Sequence, residues 1–321
     1  MRLIHYLLLN ILFLLTACAE KINGQNNIPK SESAFKTKNV IIVVVDGPRY
    51  SETWGDSMHQ HIPHMSKDLA KEGAVFTSFL NDGFTYTNSG HTAITTGYRQ
   101  EINNSGKKDY PKYPSIFQYY LQKTGKEKTA AWVITTKDKL EILSNTVHPE
   151  WQNKFLPSTD CGNNGIGTGY REDSTTFKNS MEILKKHHPN LVLINFKEPD
   201  ASGHANNWEG YLKGIKDTDN YVWELWKMIQ TDSIYKNNTA FIVTNDHGRH
   251  LDNVKDGFIN HGCSCDGCRH INLFVWGPDF KKNVLISEKY AQQDITATIA
   301  FLLNLEMPYS EGKVIEALFK K

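Results

Sequence analysis

Net charge, internal repeats and an apolar run long enough to span a membrane are all missing from this chain. Its 36 basic and 35 acidic residues leave a formal charge of +1, so no general field gathers polyanions and nucleic-acid binding is not expected. No segment recurs at a fixed period, which excludes stacked-repeat architectures. The apolar stretch from Tyr6 to Leu15 is too short to cross a bilayer. Cysteine is scarce, with five in 321 residues, and no linker-like stretch interrupts residues 38–321. A chain that is 39% hydrophobic and 22% charged can bury one large core, and α/β folds of this size often remain a single domain.

The start of the chain reads as an address. Arg2 supplies a positive end, the apolar stretch follows, and Leu15-Thr16-Ala17-Cys18 resembles the bacterial lipobox, where cleavage precedes a cysteine that becomes lipidated. The expectation is a signal peptide over residues 1–17, then a lipidated Cys18 and a disordered tether over 18–38, poor in large apolar groups. An ordinary secretory signal with an incidental Cys18 is the alternative. Either way the mature protein works outside the cytoplasm, in the cell envelope, with Cys18 as its membrane anchor on the first reading. Cys161, Cys263, Cys265 and Cys268 remain. In an oxidising compartment four thiols most simply form two disulfides, with three possible pairings. The alternative is a metal knot at Cys263-x-Cys265-x-x-Cys268 with Cys161 as its fourth ligand.

From Lys38 onward strand-like and helix-like segments alternate, which predicts an α/β fold: a doubly wound, mostly parallel sheet with helices on both faces. Helices are expected at 65–72, 113–124, 174–187, 211–230 and 293–303. Strands are expected at 40–45, 74–79, 129–135, 191–196, 240–244 and 271–276. Three of those strands are continuous Val/Ile/Leu runs that end in metal-ligand residues: Asp46 after the first, Asp200 and His204 after Leu191–Phe196, and Asp246 and His247 after Ala240–Thr244. Ligands of such sheets bind just beyond the strands' carboxyl ends. Carboxylates mixed with imidazoles suit zinc or a similar divalent ion, and five donors exceed one open catalytic zinc. The sequence therefore predicts a two-metal centre. Any one of these residues taken alone reads as a turn cap or a satisfied core group. Together in one crevice they demand a cation.

The segment Thr85-Tyr86-Thr87-Asn88-Ser89-Gly90-His91, continuing to Thr96-Gly97, offers many hydroxyls and alone does not say which reacts. It resembles the nucleophile turn of the alkaline phosphatase superfamily, especially its nucleotide pyrophosphatase/phosphodiesterase and threonine-type phosphatase branches. The Asp46-Gly47, Glu198-Pro199-Asp200-Ala-Ser-Gly-His204 and Asp246-His247-Gly248 segments resemble that family's other motifs in the same order, as do His261-Gly262 and the 293–308 stretch. The resemblance covers nearly everything from Asn39 onward, so one catalytic domain over 39–321 is expected. It implies Thr87 as nucleophile at a helix N-terminus. It also implies one ion held by Asp200, His204 and His261, and another by Asp46, Asp246 and His247 with Thr87. In such pairs the ions activate the nucleophile and stabilise the leaving oxygen, and no separate general base is needed.

The same resemblance bears on substrate. Thr87-Asn88-Ser89-Gly90 stands where sulfatases carry a Cys/Ser-x-Pro-x-Arg segment, which argues against a sulfatase. Asn104, or else Asn103, resembles the asparagine that binds a non-bridging phosphate oxygen. Lys137-Asp138-Lys139 resembles a Lys-Asp-Arg segment that meets dianionic phosphate, although read alone it is a solvated charged turn. The expected activity is hydrolysis of small phosphoric esters with two divalent ions, most simply Zn²⁺, and monoesters slightly ahead. The alternatives are a type I phosphodiesterase or nucleotide pyrophosphatase, a sulfatase-like hydrolase, a phosphotransferase or mutase, and a non-catalytic binding lipoprotein. Oligomeric state is not legible.

Overall fold

The computed structural model describes residues 35–320. The expectations for the signal peptide and for Cys18 lie outside them. The end of the expected tether is ordered: Asp279 accepts bonds from the main-chain N–H of Lys36 and Thr37 and from the Thr37 hydroxyl, and Phe35 packs edge-on to Phe301. Three donors on one carboxylate and a half-buried ring suffice to pin residues that composition alone marks as loose.

The chain builds β1 (Asn39–Asp46), β2 (Ala74–Leu80), α1 (Thr87–Thr96), α2 (Ile116–Thr124), β3 (Ala131–Thr135), β4 (Ser158–Cys161), α3 (Asp173–His187), β5 (Leu191–Pro199), α4 (Asp200–His204), α5 (Trp208–Thr231), β6 (Thr239–Asn245), α6 (Asp266–Arg269), β7 (His270–Trp276), β8 (Val284–Ile286), β9 (Tyr290–Ala291) and α7 (Gln292–Leu302). Among the described residues the strands form one sheet in the order β4-β3-β5-β1-β6-β7-β2-β8, with β9 also on β2. All neighbouring pairs are parallel except those of β7, which runs against β6 and β2.

β1 shows why both faces are covered. Every residue of it is buried. Successive side chains point to opposite faces, so Val40, Ile42 and Val44 join a core with Ile94 of α1, Phe117 of α2 and Ile299 of α7. Ile41, Val43 and Val45 join a second core with Leu184 of α3 and with Ile215 and Val222 of α5. The expected doubly wound, mostly parallel α/β sheet is therefore the one observed. Boundaries differ where a cap or proline intervenes. Tyr113 precedes Pro114 and is held out of helical geometry, so α2 begins at Ile116. Asn207 accepts from the Gly210 N–H at 2.9 Å and starts α5 three residues before the predicted Tyr211.

Topology also decides the cysteines. Cys161 ends β4, at one margin of the sheet, and its thiol donates to the Val133 carbonyl at 3.5 Å. The other three flank β7, five strands away in the sheet order, or roughly 24 Å at about 4.8 Å per strand. The expected pair of disulfides is not present, because Cys161 has no cysteine within reach and all four described cysteines are free. The same separation removes Cys161 as a fourth ligand of a knot. No helix among the described residues is long and apolar enough to cross a membrane.

Candidate metal and phosphate site

Four consecutive strands, β3, β5, β1 and β6, run parallel and end on one edge. At or just past those ends they deliver Lys137, Asp200, Asp46 and Asp246, so residues far apart in sequence arrive side by side. The Lys137 ammonium, 3% exposed, lies 2.9 Å from Asp46 Oδ2 and 2.7 Å from Asp200 Oδ2.

Behind Asp46 the donors converge. His247 Nε2 is 3.6 Å from Asp46 Oδ1 and 3.4 Å from Asp246 Oδ2. His247 Nδ1–H donates to the Gly248 carbonyl at 2.9 Å, which leaves the Nε2 lone pair facing the carboxylates. Both Asp46 Oδ1 and Asp246 Oδ2 are buried without a hydrogen-bond partner. Such orphaned carboxylate oxygens are costly unless a cation meets them. Burial, with repulsion from Asp246, pushes the Asp46 carboxyl well above its ordinary range. That is the electrostatic mark of a pocket short of positive charge, and the donor set fits a divalent ion.

The second group forms around Asp200 Oδ1, with His204 Nε2 at 3.4 Å and His261 Nε2 at 3.7 Å. The two imidazole nitrogens are 3.2 Å apart. His261 Nδ1–H donates to the Thr85 carbonyl at 2.8 Å, so its Nε2 is again free to ligate. Burial and the adjacent His247 ring hold His261 down to about 2, as a neutral ligand. This donor set fits an ion too, but not alone. The buried Arg249 guanidinium also pairs with Asp200 Oδ1, and its other nitrogens are held by the Phe258 and Ile259 carbonyls. A cation at this group competes with Arg249. Burial opposes ionisation of Asp200, yet Lys137 and Arg249 prevail and keep its carboxyl well below the usual range.

Thr87 opens α1, whose ten residues are all buried. Its Oγ1 lies 3.4 Å from His247 Nε2 and 3.4 Å from Lys137 Nζ. Gly90 explains how the helix comes so near: a Cβ there would stand 2.3 Å from the Asp246 carbonyl oxygen, so only glycine permits the approach. His91, one residue on, donates from Nδ1 to the Thr87 carbonyl at 2.8 Å and sits 3.4 Å from Asp246 Oδ2. Its Nε2 meets the Asn195 amide at 3.2 Å.

The predicted substrate contacts separate. Asn104 Oδ1 accepts from the Asn88 N–H at the start of α1 at 3.1 Å and from Lys139 Nζ at 2.9 Å. Burial, then repulsion from Lys137, lowers Lys139 to about 8. Asn103 is exposed, and its side chain accepts from the Ser105 N–H, so Asn104 is the one whose side chain meets the first turn of α1 beside Thr87. Lys137 is not a free surface cation. Burial opposes its charge, but Asp200 and Asp46 hold the ammonium well above its ordinary value. Arg249 is not among the residues singled out from sequence, and His91 enters there only as part of the quoted turn segment, with no role assigned. Each immediately follows a recognised motif residue, but nothing in a lone Arg or His tells a buttress from a bystander.

The sheet order and the strand-end carboxylate–imidazole groups define an α/β metalloenzyme. A family model of the Metalloenzyme superfamily matches residues 38–307, and the chain belongs to that superfamily. A phosphopentomutase from Herpetosiphon aurantiacus is 27% identical over 150 residues, which cover 46% of this chain and 35% of that protein; the match thus spans about a third of the relative's length. The fold is that of the alkaline phosphatase superfamily. A member from Vibrio parahaemolyticus superposes with a TM-score of 0.65 at 16% identity, covering 87% of this chain and 69% of that one. Murine ectonucleotide pyrophosphatase/phosphodiesterase 5 gives 0.60 at 16%, covering 88% and 100%.

Proposed function

We propose that the chain is a metal-dependent phosphoric ester hydrolase acting through a phosphothreonine at Thr87, with monoesters ahead of diesters. The observation that carries this reading is Thr87 Oγ1 at a buried helix N-terminus, 3.4 Å from both His247 Nε2 and Lys137 Nζ. Support also comes from the murine phosphodiesterase, of which a threonine-to-alanine form is inactive.

Asp46, Asp246 and His247 with Thr87 would hold one divalent ion, and Asp200, His204 and His261 the other; zinc suits both donor sets. When bound, the ions supply Lewis-acid stabilisation of the attacking and leaving oxygens. Thr87 Oγ1 forms a bond to phosphorus as the ester P–O bond breaks; the hydroxyl proton passes to solvent, and the leaving oxygen takes one up and departs as the alcohol. The positive end of α1 favours the anionic group under attack. Water then displaces Thr87 from phosphorus, releasing phosphate and restoring the hydroxyl. Lys137 neutralises Asp46 and Asp200, while Lys139 and Asn104 present a donor pair to the non-bridging oxygens. A dianionic monoester gains more from Lys139 than a monoanionic diester does.

The test is turnover of an aryl phosphate monoester, the matching diester and the matching sulfate, with zinc and after chelation. Metal-dependent hydrolysis led by the monoester is expected. Lys139→Ala should lower kcat/KM for the monoester by about thirtyfold, one charge-assisted contact of ~2 kcal/mol, and affect the diester much less. Equal losses would move the assignment to a phosphodiesterase, a faster sulfate would make it a sulfatase, and no turnover would make it a binding protein. A second reading, phosphoryl transfer to a sugar hydroxyl, is favoured by the phosphopentomutase match; interconversion of pentose phosphates without net phosphate release would establish it. We also infer export and anchoring through Cys18, supported by the Leu15-Thr16-Ala17-Cys18 sequence.

A further inference from the structure

We propose that His250, Cys263, Cys265 and Cys268 form a structural zinc site, separate from the carboxylate–imidazole centre. Ligand atoms of His250, Cys263 and Cys268 all lie within 4.8 Å of one another. The Cys263 and Cys268 sulfurs are 3.8 Å apart. A disulfide requires about 2.05 Å, whereas a tetrahedron with Zn–S bonds of about 2.3 Å has S···S edges of about 3.8 Å. The Cys265 N–H donates to Cys263 Sγ at 3.3 Å, which sets Cys265 beside this group as the fourth donor of the proposal.

The imidazole supplies an independent sign. His250 is 2% exposed. Its Nδ1 bonds Asp256 Oδ1 at 2.7 Å, and its Nε2 is buried with no hydrogen-bond partner among the described residues. A carboxylate on one ring nitrogen fixes the tautomer that leaves the other as a bare lone pair, the usual setting of a metal-bound histidine. Left without a ligand, that nitrogen is a desolvated acceptor with nothing to accept. Three thiolates and one imidazole make a closed tetrahedral set with no position for water, the character of structural zinc.

The local backbone forces this meeting. The Gly248 N–H donates to the Cys268 carbonyl at 2.8 Å. A Cβ on Gly248 would stand 2.0 Å from the Gly267 carbonyl oxygen, and one on Gly267 would stand 2.4 Å from that of Arg249. Two glycines let the strands of the loop touch, bringing the cysteines against His250. Between these contacts runs a loop whose one helical turn is Gly257–Ile259. It carries His261 and the two carbonyls that hold Arg249. A metal joining its ends would fix His261 relative to His247.

The experiment is cobalt replacement in the full-length protein, read by absorption. The carboxylate–imidazole centre contains no sulfur, so thiolate-to-cobalt charge transfer reports this site alone. One cobalt per chain should give that band together with intense visible bands of tetrahedral geometry. Cys263, Cys265 and Cys268 should resist alkylation when metal is bound and react after its removal. Cys265→Ser and His250→Ala should each lose one equivalent of zinc, and His250→Cys, which supplies a fourth thiolate, should keep it. A native mass two hydrogens low with Cys263 joined to Cys268, or no charge-transfer band in the wild type, overturns the proposal. So does a band unchanged in both the His250→Ala and Cys265→Ser variants. The wild-type spectrum and mass decide the matter even where a variant fails to fold.

Discussion

A threonine hydroxyl becomes a useful nucleophile only where its surroundings favour loss of the proton, and the proposed reaction assigns that part to Thr87, which lies 3.4 Å from both His247 Nε2 and Lys137 Nζ. Ser89, two residues on, faces elsewhere: its Oγ accepts from the buried Ile102 N–H at 3.0 Å. Thr87→Ala should therefore keep fold and metal content and lose at least about a thousandfold in turnover, as when a covalent step disappears. Ser89→Ala should cost about 1–3 kcal/mol of stability for the stranded N–H and leave turnover nearly unchanged. Steady-state kinetics with metal analysis on both variants checks this, and a dead Ser89→Ala beside an active Thr87→Ala would reverse the assignment. The strand-end acids and imidazoles were legible because chemistry restricts which residues sit after buried Val/Ile runs. Arg249 was not, because its meaning lies in what it touches: one carboxylate oxygen that two histidines also face.

Strands that alternate between two cores announce themselves in sequence, as β1, β5 and β6 do. β4, Ser-Thr-Asp-Cys, carries no apolar run and becomes a strand only because β3 offers it a partner. The helical stretch His64–Leu69, between β1 and β2, shows a tertiary device no local pattern reveals: Asp219 of α5 accepts from the N–H groups of His64 and Met65 at 2.8 and 2.9 Å. Burial raises its carboxyl to about 6, against about 3.9 in an unfolded chain. The folded protein thus holds this proton more tightly. The group's contribution to stability is greatest below pH ~4, declines as pH rises to about 6, and is flat above. Asp219→Asn keeps an acceptor without a charge, so its stability relative to wild type should rise between pH 4 and 7 by up to about 3 kcal/mol. Urea unfolding at the two pH values measures this, and a constant difference would show that Asp219 does not titrate as described.

At the scale of the whole molecule, the proposed anchor and the proposed chemistry are separable. Cys18→Ser should leave the turnover of the released protein unchanged while abolishing lipid attachment and membrane fractionation; membrane retention with no lipid on residue 18 would refute the anchor. The sheet order has a different consequence, for synthesis rather than activity. β1 bonds only to β5 and β6, both made long after it. Roughly 145 residues separate Asp46 from Leu191, which at about 5–20 residues per second is about 7–30 s of synthesis. Throughout that interval Asn-Val-Ile-Ile-Val-Val-Val has no native strand to bond with and the composition of a segment that self-associates. The strand at the centre of the finished sheet is, in the nascent chain, a segment in need of a chaperone.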